Sequence, residues 1–276
     1  MNVQTTKRKP AAAAMSAEDV MKMYDLIKGS TSVELKVTVP GTLQRGVLER
    51  MKFDPVEAEP RTAYFFDTPD LALSRAGIVV RARRFQGGGG DTVIKLRPVD
   101  PEKIDPELRR SSAFKIELDA MPGGYVCSAS FKGACTGQEV LDIVDDKAMP
   151  LSKLFSKEQR EFYKAYAPAD IPLDSLVALG PTFLLKARHQ PKTFDRRVTV
   201  EFWLYPDGSR IFELSTKAQP KEGFQVAADF KAYLAEIGVP LEASQETKTR
   251  SALAFFSKRL AEATAAEARK RAATTG

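Results

Sequence analysis

Runs of strand length in which apolar and ionisable residues alternate constrain the fold of this chain more than any other feature. In Ser32–Val39, three valines and a leucine occupy every second position, while Glu34 and Lys36 stand between them. Because successive side chains on a strand point to opposite faces, this pattern predicts a sheet with one apolar face and one charged face. The same alternation recurs in five further runs, at residues 78–85, 92–99, 113–120, 183–189 and 210–216.

These runs belong to a larger set of strand and helix signals. Further strand-like segments lie at 63–67, 125–131 and 198–205, and helical patterns lie at 16–29, 42–52, 70–76, 138–147 and 225–237 and from 246 onward. Short turn sequences, the glycines at 87–90 and Pro206-Asp207-Gly208, are typical of hairpins and favour antiparallel pairing. The chain is therefore expected to be an α+β protein with eight or nine strands. The segment 138–179 is partly helical and its role is left open, with packing outside the barrel as one alternative.

The positive charge of the chain lies at its two ends. The formal net charge is +6, and residues 1–15 and 258–276 carry three net positive charges each, which leaves the segment between them neutral. Basic ends of this kind are typical of solvated tails, so a nucleic-acid or anionic-lipid partner is the less favoured interpretation. No apolar run approaches the ~20 residues that a membrane span needs, and the first residues lack the apolar stretch of a signal peptide. We therefore expect a soluble, cytoplasmic protein with no membrane or nucleic-acid partner.

The cysteine and histidine content excludes two classes of site. Cys127 and Cys135 are the two cysteines and His189 is the single histidine, and their spacing matches no zinc-binding pattern. One histidine without a nucleophile motif also argues against a triad hydrolase. A disulfide between the two cysteines is possible on spacing, but thiols in the core are the favoured interpretation.

The charged faces of the predicted strands allow two interpretations. A sheet with one solvated face is common, and the pattern alone favours it. The alternative is a charged channel, because several strands carry paired arginines or lysines while acids are concentrated on others. Such a channel needs a polyanion such as a triphosphate, which guanidinium and ammonium groups bind well. The carboxylates could then hold magnesium, and a water molecule would attack the terminal phosphorus.

Several motifs in these runs resemble one known family, the CYTH domain of the triphosphate tunnel metalloenzymes. The resemblance covers roughly residues 30–256. It rests on VELK at 33–36, YFFDTPDLAL at 64–73, GIVVRARR at 77–84, TVIKLRP at 92–98, KAR at 186–188, VEF at 200–202, FEL at 212–214 and TKTRSAL at 247–253. Members of this family include inorganic triphosphatases, thiamine triphosphatases and class IV adenylate cyclases.

The resemblance implies a fold and a domain organisation. The fold is α+β, a closed eight-stranded antiparallel β-barrel that forms a tunnel, with helices packed outside. A single domain would span 16–260, between a disordered lead at 1–15 and a charged, alanine-rich tail at 261–276. The oligomeric state is left open, with a homodimer as one alternative.

The resemblance also implies roles for individual residues. Glu34 and Lys36 would be catalytic. A magnesium or manganese ion would be held by Glu34, Glu201 and Glu213, with Ser32 as a further ligand. The Asp67–Asp70 turn is interpreted as structural. The substrate would be bound by Lys36, Arg81, Arg83, Lys95, Arg188 and Lys248, with Arg97, Lys186 and Arg250 as weaker candidates that could instead form structural ion pairs.

This sequence departs from the family pattern in its acids. The family signature begins E-x-E-x-K, whereas here Ser32 takes the first position, and Ile211 and Ser215 flank Glu213 where further carboxylates are expected. The basic set is complete and the acidic set is thinned. We therefore expect triphosphate binding to persist and metal-dependent turnover to be slow or absent.

Three functions remain open on the sequence. The first is a metal-dependent hydrolase of a triphosphate-bearing small molecule, with inorganic triphosphate as the default substrate. The second is a module that binds triphosphate, polyphosphate or a nucleotide with weak or no catalysis. The third is an adenylate cyclase, which ranks last because no obvious adenine pocket is present.

Overall fold

The strands of the protein close into one barrel. The structure is a computed structural model that describes residues 16–146, 149–241 and 248–274, without the side chains of 17, 248, 250, 251, 263, 264 and 267–274. The predicted lead at 1–15 and part of the predicted tail lie outside the described residues, and the predicted division into domains stays a prediction. The strands in the described ranges are β1 (Ser32–Val39), β2 (Glu59–Asp67), β3 (Ile78–Phe85), β4 (Gly89–Leu96), β5 (Phe114–Met121), β6 (Gly124–Thr136), β7 (Val177–His189), β8 (Val198–Leu204) and β9 (Arg210–Ala218).

Helices connect the strands and follow them. They are α1 (Ala17–Gly29), α2 (Gln44–Met51), α3 (Ala72–Arg75), α4 (Gly137–Asp145), α5 (Lys157–Tyr166), α6 (Gly223–Glu236) and α7 (Lys248–Thr274). Where the sequence shows strong caps, the predicted helices have the observed starts. Ser16, for example, caps α1 by accepting a hydrogen bond from the Asp19 amide, as its sequence position predicts.

The barrel has nine strands and mixed pairing, so the prediction of eight antiparallel strands is wrong. Around the ring of described strands the order is β1-β5-β6-β4-β3-β2-β7-β8-β9, which returns to β1. Every neighbouring pair is antiparallel except β1 and β5, which are parallel. The reason is geometric: strand directions cannot alternate all the way around a ring with an odd number of members. One parallel pair must therefore close it.

The closure at β1 brings together residues that lie far apart in the sequence. On one side, Glu34 is the neighbour of Asp119 in the parallel pairing with β5. On the other side, Glu34 is opposite Lys217 and Lys36 is opposite Ser215 in the antiparallel pairing with β9. Because β1 lies between β5 and β9, charged residues from both halves of the chain lie side by side there.

The apolar face of the sheet points outward and the charged face points inward. Val37 and Ile116 have no exposed surface, and they belong to one apolar cluster that also contains Val140 of α4, Phe162 of α5 and Val226 of α6. The helices thus cover the apolar side of the sheet, as predicted. The charged side faces the inside of the closed ring and lines its cavity. The interpretation as a solvated face is therefore wrong, and the predicted charged channel is present.

A second apolar cluster closes part of the barrel interior. It includes Trp203, two residues after the inward-facing Glu201 on β8. It also includes Ile211, two residues before the inward-facing Glu213 on β9. Leu253 and Phe256 of α7 pack against this cluster. Ile211, which stands where a carboxylate was expected, therefore contributes packing at this end of the interior.

The segment between β6 and β7, whose role the sequence leaves open, packs outside the barrel and contains a second helix after α4. This helix, α5, begins at a capping box formed by Ser156 and Gln159. Gln159 is fully buried, where its side-chain oxygen accepts a hydrogen bond from Thr92 and its nitrogen donates to the Phe131 carbonyl. The ring of Phe162 lies 5.9 Å from that of Phe131.

Two further expectations have an outcome in the structure. Cys127 is buried and Cys135 is half-buried, and both remain thiols, in agreement with the favoured interpretation. None of the described helices combines the length and the apolar character that crossing a bilayer requires.

The outward direction of the apolar face can be tested with two neighbouring residues of β5. Ile116→Ala should lower the free energy of unfolding by about 2–5 kcal/mol, because it leaves a cavity between the sheet and the helices. Lys115→Ala, one residue away on the opposite and exposed side, should change it by less than about 0.5 kcal/mol. Denaturant unfolding measures both values, and equal effects would contradict the assignment of faces.

Candidate anion-binding site in the barrel interior

The barrel encloses a cavity whose lining is strongly cationic. Its volume is about 1410 Å³, and all of the strands except β2 contribute to its wall. Among the residues that the structure describes, twelve lysine and arginine side chains line the cavity against five carboxylates. An interior with this excess of positive charge favours a polyanionic ligand, because like charges at close range repel one another in a medium of low dielectric constant.

The structure brings most of the predicted substrate-binding residues to this one cavity. Lys248 begins α7, and the side chains of Lys248 and Arg250 lie outside the described residues. The seven that are described and line the cavity are Lys36, Arg81, Arg83, Lys95, Arg97, Lys186 and Arg188. Their role in binding stays a prediction, but their convergence from β1, β3, β4 and β7 is a feature of the structure.

The buried carboxylate of Asp119, which is not among the predicted site residues, links two of these lysines. Its side chain has no exposed surface. Its Oδ1 atom lies 3.0 Å from Lys36 Nζ and its Oδ2 atom lies 3.2 Å from Lys95 Nζ. Burial alone would raise the pKa of Asp119, but Lys36, Lys95 and Arg97 outweigh it and hold this pKa well below its ordinary value. Asp119 is therefore ionised and keeps both ammonium groups in place.

Lys36 occupies the centre of the charged network. Besides Asp119, it contacts Glu34, whose Oε2 atom lies 2.9 Å from Lys36 Nζ. Burial would lower the pKa of Lys36, but the carboxylates of Glu34, Asp119 and Glu213 raise it above its ordinary value. Lys36 therefore stays protonated. By contrast, burial lowers the pKa of Lys95 despite the attraction of Asp119.

Arg81 has an unsatisfied hydrogen-bond donor inside the barrel. Its Nε atom is buried and has no hydrogen-bond partner within the described part of the chain. Burial and the neighbouring Arg83 lower the pKa of Arg81 to about 10, which still leaves a guanidinium cation at neutral pH. Arg83 differs, because its Nε donates to Asp91 Oδ1 at 2.8 Å. Since buried donors are nearly always satisfied, the Arg81 guanidinium marks a place where an anion fits.

A second carboxylate missed from the sequence, Glu117, lies on the same wall as Asp119. It forms an ion pair with Lys217 and accepts a hydrogen bond of 3.2 Å from the Ser32 hydroxyl. Burial would raise the pKa of Glu117, but Lys217 and Lys132 lower it to about 2. The alternation over 113–120 placed Glu117 and Asp119 on the charged face, so the signal was present. The sequence does not show that β1 lies next to their strand in the ring.

Two further acids, Glu201 and Glu213, are direct neighbours across β8 and β9, and β9 lies next to β1 in the ring. Glu201 accepts a hydrogen bond of 3.0 Å from the Trp203 indole and lies 2.6 Å from Lys186 Nζ. Lys186, one of the weaker candidates, therefore forms the structural ion pair that the sequence left open for it. Glu213 lines the cavity and faces Thr38 of β1.

The fold of this chain is shared with solved structures, although no family model and no curated protein matches its sequence. A Bacillus halodurans protein described as a "putative adenylate cyclase" is 13% identical, with a TM-score of 0.57, over 80% of this chain and 97% of that one. A Hippeastrum protein, HpAC1, is 16% identical, with a TM-score of 0.58, over 79% of this chain and 92% of that one. Its structure is described as that of a "putative adenylyl cyclase" with a dominant triphosphatase activity. The chain has the CYTH fold.

The predicted metal ligands of this barrel lie on three neighbouring strands. Ser32 and Glu34 are on β1, Glu213 is on β9, and Glu201 is on β8. No three cysteine, histidine or carboxylate side chains converge on one point within the described ranges. Moreover, Glu34 and Glu201 each contact a lysine, and the Ser32 hydroxyl donates to Glu117. This donor set does not fit an ion held by several carboxylates at once, and the assignment of the four ligands stays a prediction.

Restoring the missing acid should expose this conflict. Ser32→Glu places a second carboxylate beside Glu117, and like charges at that distance destabilise the fold. In EDTA we expect Ser32→Glu to be less stable than the neutral, equally large Ser32→Gln by about 1 kcal/mol or more. Magnesium should reduce this difference, because the new pair of carboxylates can share the ion. Thermal unfolding with and without magnesium measures the effect, and identical curves for both variants would contradict it.

Proposed function

We propose that this chain binds a triphosphate in the barrel interior and hydrolyses its terminal phosphoryl group, with inorganic triphosphate as the default substrate. The observation that carries the proposal is the cationic excess of the cavity, together with the unsatisfied Nε donor of Arg81. A triphosphate supplies several negative charges and many acceptor oxygens in one chain. It therefore matches both the charge and the donors of the lining.

The arrangement of cations suits a chain of phosphates better than a single phosphate. Arg81 and Arg83 enter from β3, Lys95 from β4, Arg97 from the residue after β4, and Arg188 from β7. These side chains surround the cavity, so one phosphate group can contact only part of the set. A longer polyanion can contact cations on opposite walls at the same time, and its affinity should rise with each added phosphate.

Hydrolysis in this cavity would rest on positioning and charge stabilisation. A water molecule attacks the terminal phosphorus, the bond to the bridging oxygen breaks, and phosphate and diphosphate leave. Negative charge grows on the bridging oxygen, where fixed cations such as Arg81 and Lys36 would stabilise it. Glu34 is suited to orient the water, because its carboxylate is ionised: burial would raise its pKa, but Lys36 and Lys217 lower it. A hydroxyl, that of Ser215, donates to Glu34 at 3.3 Å and helps to fix it.

The comparison with known structures favours hydrolysis over cyclisation. The Hippeastrum protein with the same fold is described by its dominant triphosphatase activity, despite its cyclase name. In this chain, the acids beside the cations are held in ion pairs, and an adenine-binding pocket was not evident from the sequence. Hydrolysis requires fewer features of the cavity than cyclisation does, since it needs only phosphate binding and a positioned water molecule.

Binding is tested by ligand-dependent stability. Triphosphate at a hundredfold excess over its dissociation constant should raise the free energy of unfolding by ~2.7 kcal/mol. Monophosphate should have little effect. Arg81→Met should weaken triphosphate binding by about 1.5–3 kcal/mol, the worth of a hydrogen bond to a charged group. The matched control is Arg45→Met, because Arg45 is 93% exposed on α2. Equal stabilisation by triphosphate and monophosphate would contradict a site for a phosphate chain.

Turnover is tested by phosphate release from inorganic triphosphate, with magnesium and with manganese. We expect Glu34→Gln to lower the rate by about 10²-fold, because a general base or orienting carboxylate contributes on this scale. The Arg45→Met control should leave the rate unchanged. Tight binding without phosphate release would show a binding module instead of an enzyme. Formation of cyclic AMP and diphosphate from ATP, without hydrolysis, would favour a cyclase.

A further inference from the structure

Six side chains on one wall of the cavity form a group that we call the lysine–carboxylate cluster. It spans β1, β5 and β9, which are neighbours where the parallel pair closes the barrel, and it includes one lysine of β4, beyond β6 in the ring. Each of its carboxylates contacts at least one of its lysines. The members are Glu34, Lys36, Lys95, Glu117, Asp119 and Lys217.

The three acids and three bases of this cluster balance one another. Lys36 joins Glu34 to Asp119, and Lys95 contacts the other oxygen of Asp119. These contacts leave Glu117 as the acid that needs a third cation. With Arg97 also 3.9 Å from Asp119, this wall carries no net negative charge, so it does not offset cations such as Arg81 and Arg188 elsewhere in the cavity.

Lys217 is the third cation. It forms an ion pair with Glu117 and is the direct neighbour of Glu34 across β1 and β9. Half of its side chain is exposed, and its ammonium group contacts Glu117. Burial would lower the pKa of Lys217, but Glu34 and Glu117 raise it above its ordinary value. The ammonium group is therefore a permanent positive charge paired with Glu117 and close enough to Glu34 to attract it.

Lys217 supplies the positive charge that this acidic wall needs. Carboxylates on neighbouring strands of a partly buried site need a cation near them, or one of them takes up a proton. Here the chain itself provides that cation. Around it, Ser32 and Ser215 donate hydrogen bonds to Glu117 and Glu34, which stabilises both acids without adding negative charge.

We infer that Lys217 acts as a built-in counter-ion for Glu34 and Glu117, so that the cavity binds triphosphate without a divalent metal ion. This inference rests on the proposed function, since it concerns the same cavity and the same ligand. It defines Lys217 as a positioning residue: it neutralises the acidic wall and keeps the arginines and lysines of the cavity available for phosphate.

A simpler role for Lys217 would be direct contact with the phosphate chain. The two roles differ in what happens when Glu117 is removed together with Lys217. If Lys217 neutralises Glu117, then losing both groups restores the balance, and affinity recovers. If Lys217 binds phosphate, then losing Glu117 as well does not replace the lost contact.

The experiment is calorimetric titration of inorganic triphosphate into the full chain, in EDTA and in excess magnesium. For the unchanged protein we expect affinities that differ by less than about threefold between the two conditions. For Lys217→Gln we expect the affinity in EDTA to fall by about tenfold or more, and magnesium to restore most of it. Lys231→Gln, on the exposed side of α6, is the matched control for the loss of one positive charge and should behave like the unchanged protein.

The double variant Lys217→Gln with Glu117→Gln decides between the two roles. Recovery of its affinity in EDTA to within about threefold of the unchanged protein supports the counter-ion, whereas an affinity as low as that of Lys217→Gln overturns it. Thermal unfolding of each variant checks that it is folded. The comparison of EDTA with magnesium for the unchanged protein needs no variant at all.

The outcomes also separate this inference from the proposed function. If the unchanged protein binds triphosphate only when magnesium is present, the built-in counter-ion is wrong while triphosphate binding stands. If it binds triphosphate in neither condition, the proposed function fails, and this inference fails with it.

Discussion

The carboxylate of Asp119, which has no exposure to solvent, is the contact on which the charged interior depends. One of its oxygens contacts Lys36 and the other contacts Lys95, so a single buried acid holds cations from two other strands. An unpaired carboxylate in such a place would cost several kcal/mol, as would the two ammonium groups without it. The three groups are stable only together. Their mutual dependence fixes the side chains before any ligand arrives.

The closure of the barrel makes this contact possible. Because nine strands form the ring, one pair has to be parallel, and this pair is β1 with β5. The parallel register sets Glu34 beside Asp119, while the antiparallel register with β9 sets Lys217 opposite Glu34. The apolar residues of the same strands face outward under the helices, so no apolar side chain competes for this part of the interior. The order of the strands and the outward packing of their apolar residues therefore both determine which charged groups are in contact on this wall.

The extent of prediction from sequence follows from what alternation can and cannot encode. The alternation in 32–39 and 78–85 set both the bounds of β1 and β3 and the division into an apolar and a charged face. It carried no information on which strands are neighbours. Asp119 lies on the predicted charged face of its strand, yet its contact with Lys36 depends on a pairing between segments more than eighty residues apart. The parallel pair likewise follows from the closure of nine strands into a ring, which no single segment encodes.

The acidic residues also show what the sequence could not predict. The resemblance to a family directed attention to Glu34, Glu201 and Glu213, and to the serine and isoleucine residues that replace expected carboxylates. It did not select Glu117 or Lys217, which complete the wall around Glu34. Ile211 proved to pack with Trp203. The replacements at Ser32 and Ser215 are explained by their hydrogen bonds to the remaining acids, which no pattern in one strand could reveal.

The most direct measurement of the central claim is a crystal structure of the protein with inorganic triphosphate. The account predicts that the phosphates lie inside the barrel, with a phosphate oxygen within hydrogen-bond distance of Arg81 Nε and others near Lys95 and Arg188. The contacts of Asp119 with Lys36 and Lys95 should remain as they are. Triphosphate bound at the outer surface, with the interior and Arg81 Nε unchanged, would contradict it.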